Sequence, residues 1–143
     1  MGKLIKWLLK VAAIVVFGGL AAVIAFAILS DLYFKTSIKH SDKVYVVMYD
    51  KEIQVSSADA NKLKQLILSK RTNTFGEPSC GFGIDYSIKF TNTKAGILTV
   101  YVCPACDMCP IFKIGGACYE YSDKTRIEFE DTVEKYGMEF PNI

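Results

Sequence analysis

Apolar residues fall into two regimes along this chain. From Val11 to Leu29 there are 19 consecutive residues without a charge or a strongly polar group. As a helix rising about 1.5 Å per residue, that run comes close to the roughly 30 Å of a bilayer core. Beyond about residue 43 the apolar positions recur with the short periods of a water-soluble fold. The intervening residues 31–42 carry Asp31, Lys35, Lys39 and His40 with few apolar anchors, and read as a short polar stalk.

In the second regime, Lys43–Tyr49 is rich in β-branched and aromatic residues, Asp50-Lys51 is a turn candidate and Glu52–Val55 alternates, which predicts a hairpin. Ser56 with Asp59 then resembles a capping box in which Asp stands in for Glu. Ala60, Leu63, Leu66 and Ile67 share one helical face, and Lys70 and Arg71 close the helix. Arg71–Gly83 has the composition of a loop. Ile84, Tyr86, Ile88 and Phe90 alternate with Asp85, Ser87 and Lys89, the clearest period-two stretch in the chain. After a turn at Asn92–Gly96, Ile97–Cys103 is apolar enough to be expected buried on both faces. Pro110–Ile114 and Ala117–Tyr121 flank Gly115-Gly116, a two-residue loop suited to a primed hairpin turn. Ser122 caps a last helix through about Tyr136, with Phe129, Val133 and Tyr136 on one face. Gly137 supplies a left-handed stop, followed by an apolar contact at Met138. The order is ββα, then βββα or ββββα. The expected fold class is α+β: a membrane helix, then a mainly antiparallel sheet of about five or six strands with two helices on one face.

The flanks of the apolar run support a membrane reading. Lys3, Lys6 and Lys10 precede it, Trp7 sits at the entering interface, and Tyr33 and Phe34 sit at the leaving one. The domains expected are a cytoplasmic tip and anchor over 1–30, a stalk over 31–42 and an extracytoplasmic domain over 43–143. A cleaved secretory signal is the rival, with Ala25-Phe26-Ala27 as the small-x-small site. The apolar run continues past that site and exceeds the usual h-region of about 7–15 residues. Lys35, Lys39 and Lys43 balance the three leading lysines. The N-terminus is placed in the cytoplasm because the leading lysines lie nearer the apolar core and Asp31 is the first charge on the far side. The expected localisation is therefore a single-pass cell-membrane protein, with secretion after cleavage near Ala27 as the alternative. Gly18 with Ala22, and Ala21 with Ala25, are small-residue pairs compatible with a helix-mediated dimer.

Five cysteines, Cys80, Cys103, Cys106, Cys109 and Cys118, all lie in the exported part. Cys103-Pro-Ala-Cys106-Asp-Met-Cys109 is a doubled C-x-x-C. Such spacing serves disulfides, a tetrahedral metal site, an iron–sulfur cluster or a redox dithiol. Zinc could draw on the three close thiols and Cys118, yet an oxidising compartment favours pairing, and the chain lacks two separated knuckles. A thioredoxin-like dithiol follows a strand but opens a helix that lowers the thiol pKa. Here a third cysteine and two prolines come instead. One or two structural disulfides with a thiol left over is the reading preferred, with no cofactor.

Composition then narrows function. The single histidine, His40, lies in the stalk, so no histidine-based nucleophile or metal cluster forms in the domain. Asp85, Asp107, Glu120 and Asp123 show no spacing that demands a catalytic pair. A net charge of +2 with scattered lysines gives no stripe for nucleic acid. Tyr101, Tyr119 and Tyr121 fall on adjacent strands and are candidates for a binding face. The function expected is a membrane-anchored binding module without catalysis. An inhibitor, an immunity-type protector or an accessory subunit of an envelope complex would fit, with lipid along 11–29 and a protein at the outer surface as partners. The alternative is an extracytoplasmic thiol-disulfide or metal-binding protein using Cys103, Cys106 and Cys109.

Overall fold

The structure, a computed structural model, describes residues 2–69, 71–74, 86–94, 96–102, 111–114 and 117–140; the side chains of Lys3, of residues 71–74 and of residues 111–118 lie outside the description. Two units divide the chain, Met1–Thr36 and Ser37–Ile143.

The first unit is helical throughout its described length, as part of α1 (Gly2–Lys39). Nothing between Gly2 and Lys39 breaks the helix: there is no proline, and Gly18 and Gly19 occur where leucine, alanine and isoleucine supply strong helix formers on both sides. The segment read as a polar stalk, residues 31–42, is helical through Lys39. Asp31 and Lys35, paired at 2.6 Å across one turn, support it there.

The second unit begins with the last turn of α1 and continues as β1 (Lys43–Met48), β2 (Lys51–Gln54), α2 (Ser57–Leu68), β3 (Arg71–Thr74), β4 (Tyr86–Asn92), β5 (Gly96–Val102), β6 (Ile111–Ile114), β7 (Ala117–Tyr121) and α3 (Asp123–Glu134). One seven-stranded sheet runs in the order β2-β1-β4-β5-β6-β7-β3. Every neighbouring pair is antiparallel. The architecture is α+β, with one strand more than the sequence led us to expect. That strand is β3, four residues placed in the expected loop, where Arg71–Thr74 pair with Tyr121–Cys118. Four polar residues carry no alternation to detect, and partner strand β7 supplies the ladder that makes them a strand. Helix α2 accordingly stops at Leu68 with Ser69 as its C-cap, short of Lys70 and Arg71.

Register explains the core. Val46, Ile88 and Val100 stand opposite one another on three adjacent strands, and each is fully buried. Val44 and Phe90 form the next buried pair. On the same face lie Met48 and Val102, and the helices add Leu63, Leu66 and Ile67 from α2 and Phe129 and Val133 from α3. Between those strand positions Tyr45, Val47, Lys89, Thr99 and Tyr101 are only half-buried. Strand β5 is thus covered on one face, and Ile97 at its start is 63% exposed; the expectation of burial on both faces is corrected. Burying one apolar side chain of valine, leucine or isoleucine is worth about 1.5–3 kcal/mol, so this single packed face is the main source of stability.

Two turns set the ends of these elements. The hairpin β1–β2 turns at Tyr49-Asp50, one residue earlier than Asp50-Lys51, because Met48 pairs with Lys51. At the end of α3, Gly137 takes φ +88, its amide donates to Glu134 O, and the Met138 amide donates to Val133 O at 3.4 Å. That is a Schellman closure with a buried methionine behind it.

Candidate functional site

The most unusual surface belongs to α1. Leu4, Ile5, Trp7, Ile14, Phe17, Phe26 and Leu32 are all exposed. The helix is long and apolar enough to cross a membrane. Trp7 and Tyr33, both exposed, are separated by 26 residues, or about 39 Å at helical rise, against roughly 40–45 Å for a bilayer with its headgroup zones. Phe34, expected beside Tyr33 as an interfacial flank, is buried, which leaves Tyr33 as the exposed aromatic ring at that end. Lys6 and Lys10 lie exposed on the helix; the side chain of Lys3 is outside the description. A Cβ at Gly18 or Gly19 would meet no atom of this chain.

The last turn of α1 is built into the domain. Ile38 is fully buried and Ser37 nearly so. Ser41 returns its amide and hydroxyl to Ile38 O, and Lys64 Nζ on α2 donates to Ser41 O at 2.7 Å. The turn between β4 and β5 closes the same corner: Asn92 Nδ2 donates to His40 O at 2.8 Å, and the Thr93 amide and hydroxyl both donate to the Asp42 carboxylate. The Thr93 hydroxyl first, then its amide, holds the Asp42 carboxyl below its usual range. Beside this corner Lys39, Asn61, Lys64, Gln65 and Leu68 line an open groove of about 540 Å³.

At the other end of β1 the hairpin tip carries Tyr49, which adopts φ +50 and is 66% exposed. Left-handed backbone costs a residue with a Cβ about 1–2 kcal/mol. Its ring meets Tyr86 edge-on at 5.6 Å between centroids, with the hydroxyls 3.4 Å apart. Tyr86 opens β4 opposite Met48, and Val102 ends β5 at the same level of the sheet. The described strand ends on either side of the Cys103–Cys109 run, Val102 and Ile111, therefore stand at the Tyr49 end.

A third cluster ties the helices together. Ser56 Oγ accepts the Asp59 amide at 3.2 Å, as the sequence predicts for a cap. The reciprocal half differs, because the Ser56 amide donates to Tyr136 Oη at 3.0 Å, and Tyr136 Oη donates to Asp59 Oδ2 at 2.7 Å. Lys135 Nζ adds a contact to Asp59 Oδ1 at 3.2 Å. The Tyr136 hydroxyl is the main cause, and the Ser56 hydroxyl the next, of an Asp59 carboxyl held below its ordinary value. On α3, burial pushes the Glu130 carboxyl up, against the nearby Arg126. The Asp59 contacts fasten α2 to the end of α3, and among the described residues no nucleophile or base is lined up with that carboxylate.

The residues singled out from sequence are scattered. Tyr121 is buried, and its hydroxyl donates to Ile67 O at 2.6 Å, which commits it to holding α2 on the sheet. Tyr101 stands between buried Val100 and Val102, hence on the face away from the helices, while Tyr119 pairs with Phe112 and Asn73 two strands over. The three do not share one face. Cys80, Cys103, Cys106 and Cys109 lie outside the described residues; of Cys118 the structure gives the register, opposite Lys113 and Thr74. Among the described residues no three His, Cys, Asp or Glu side chains gather as metal ligands. Sequence reasoning missed Tyr49, whose backbone carries no sequence mark, and Tyr136 as a helix cap, whose partner lies 80 residues away. No family model matches the chain, and neither does any curated protein or solved structure.

Proposed function

We propose that this chain is a single-pass, membrane-anchored binding module that displays its α+β domain outside the cytoplasm and captures a protein there. An inhibitor, an immunity-type protector or an accessory subunit of an envelope complex are the roles this reading covers. The observation that carries it is the band of exposed apolar side chains on α1, since water-soluble proteins rarely expose contiguous apolar patches beyond a few hundred Å². Within the domain, the described polar clusters bind one element to another and leave no arranged acid, base and nucleophile, which favours recognition over catalysis.

The partner surface in this reading is the hairpin tip. Backbone strain persists where surrounding structure enforces it, and it gathers at binding sites. Tyr49 combines such strain with exposure and with a second tyrosine beside it, the side-chain type most enriched at protein interfaces. A photoreactive residue placed at position 49 in intact cells is expected to form an adduct with a second protein in the membrane fraction, whereas one at exposed Lys124 forms none. Equal labelling from both positions, or none from position 49, contradicts the assignment of the tip.

A further inference from the structure

The groove beside the last turn of α1 has a chemistry that the proposed role does not use. Its polar lining consists of two ammonium groups, Lys39 and Lys64, and two carboxamides, Asn61 and Gln65, with Leu68 as the apolar element. Among the described residues no carboxylate lines it. Lys64 spends one of its three N–H donors on Ser41 O and keeps two. Lys39 is exposed and enters no ion pair or hydrogen bond among the described residues. Lys43 and Lys94 lie in the strand and turn next to this corner, and the Asp42 carboxylate there is already engaged by both donors of Thr93. Among the described residues the local excess is positive, and the groove offers an anion two ammonium groups and two carboxamide N–H donors.

Chain connectivity says which anion. Six residues separate Tyr33, the exposed aromatic flank of the apolar helix, from Lys39. At helical rise that is a reach of about 9 Å, comparable with the Debye length of about 8 Å at physiological ionic strength. A lysine so tethered to a bilayer-spanning segment samples the phosphate layer continuously. Leu68 gives apolar contact for the glycerol end of such a headgroup.

We infer that the groove between the last turn of α1 and α2 seats the phosphate of an anionic phospholipid, with Lys39 and Lys64 as charged donors and Asn61 and Gln65 as orienting amides. The inference rests on α1 being in the membrane. Its function is to add a lipid contact from the domain itself, leaving the Tyr49 end of the sheet, at the other end of β1, available to a partner.

The test uses the full chain, purified in detergent and exposed to an equimolar mixture of phosphatidylglycerol and phosphatidylcholine, with retained lipid counted by native mass spectrometry. Phosphatidylglycerol is expected to be retained in preference. Lys39→Gln should weaken that preference by about fivefold, and Lys39→Gln with Lys64→Gln by tenfold or more, at roughly 1 kcal/mol per lysine near a lipid surface. Among the described residues the Lys39 side chain makes no hydrogen bond or ion pair, so its single variant reads the groove even where loss of the Lys64–Ser41 bond unsettles the fold. Lys124→Gln, exposed in the first turn of α3 and outside the groove lining, should change nothing. Equal retention of the two lipids by an inserted chain overturns the groove alone. Displacement of the lipid by millimolar inorganic phosphate would make it a soluble-anion site and likewise overturn the inference. A chain that stays monodisperse without detergent overturns the membrane reading beneath it.

Discussion

Tyr136 shows how a single hydroxyl can join two helices that the sequence presents as separate. It accepts the Ser56 amide that opens α2 and donates to Asp59 one turn later, from just beyond the end of α3. Tyr136→Phe removes both bonds and leaves the Ser56 amide without that acceptor; thermal unfolding of the full chain in detergent should show a loss of about 1–2 kcal/mol. The same bond sets a pH dependence. Asp59 has a folded pKa below its usual 3.8, so the stability it contributes is complete above that value and is lost as the pH falls through the lower folded value. The acid limb of the unfolding curve should therefore flatten in Tyr136→Phe, and an unchanged limb would contradict the linkage. Tyr49 permits a second comparison: at φ +50, Tyr49→Gly and Tyr49→Ala lose the same ring contact, but only glycine relieves the backbone. The glycine variant should be the more stable of the two by about 1 kcal/mol. The cap at Ser56 could be read from the sequence because its partner is three residues away. Tyr136 could not, since nothing local marks a side chain that acts across the fold.

Among the elements, those with strong periodicity were visible in advance and those defined by partners were not. Alternation from Tyr86 to Phe90, the amphipathic face Leu63–Ile67 and the Gly137 stop all appear where the pattern places them. Strand β3 escaped because Arg71–Thr74 has no apolar rhythm and exists as a strand through β7. The helical form of residues 31–39 escaped for a related reason: they are polar enough to look like a linker, yet Phe34 and Ile38 within them are buried. Ile38→Ala should therefore cost the domain about 3 kcal/mol, a loss that a flexible stalk would not show in the same unfolding measurement. At the close of α3, the φ of +88 at Gly137 makes Gly137→Ala unfavourable by about 1 kcal/mol. Its Cβ would meet only Met48 Cε at an ordinary 3.7 Å, so the cost is conformational rather than steric.

Taken together, the molecule divides its labour between an apolar helix that water does not favour and a sheet domain whose apolar residues lie mostly on one covered face. The helix was evident from the sequence, since an uninterrupted run of this length leaves few alternatives. A binding surface was not, because recognition depends on where side chains converge, and the three tyrosines picked out by strand position do not share one face. Within the domain, the groove lined by Lys39 and Lys64 and the strained tip at Tyr49 lie at opposite ends of β1. The central claim is that α1 stays uncleaved in the bilayer, and the intact mass of the chain recovered from alkali-washed membranes tests it most directly. A full-length mass in the washed pellet is the result this account predicts; a chain released to the supernatant, or shortened to begin near Ile28, would contradict it.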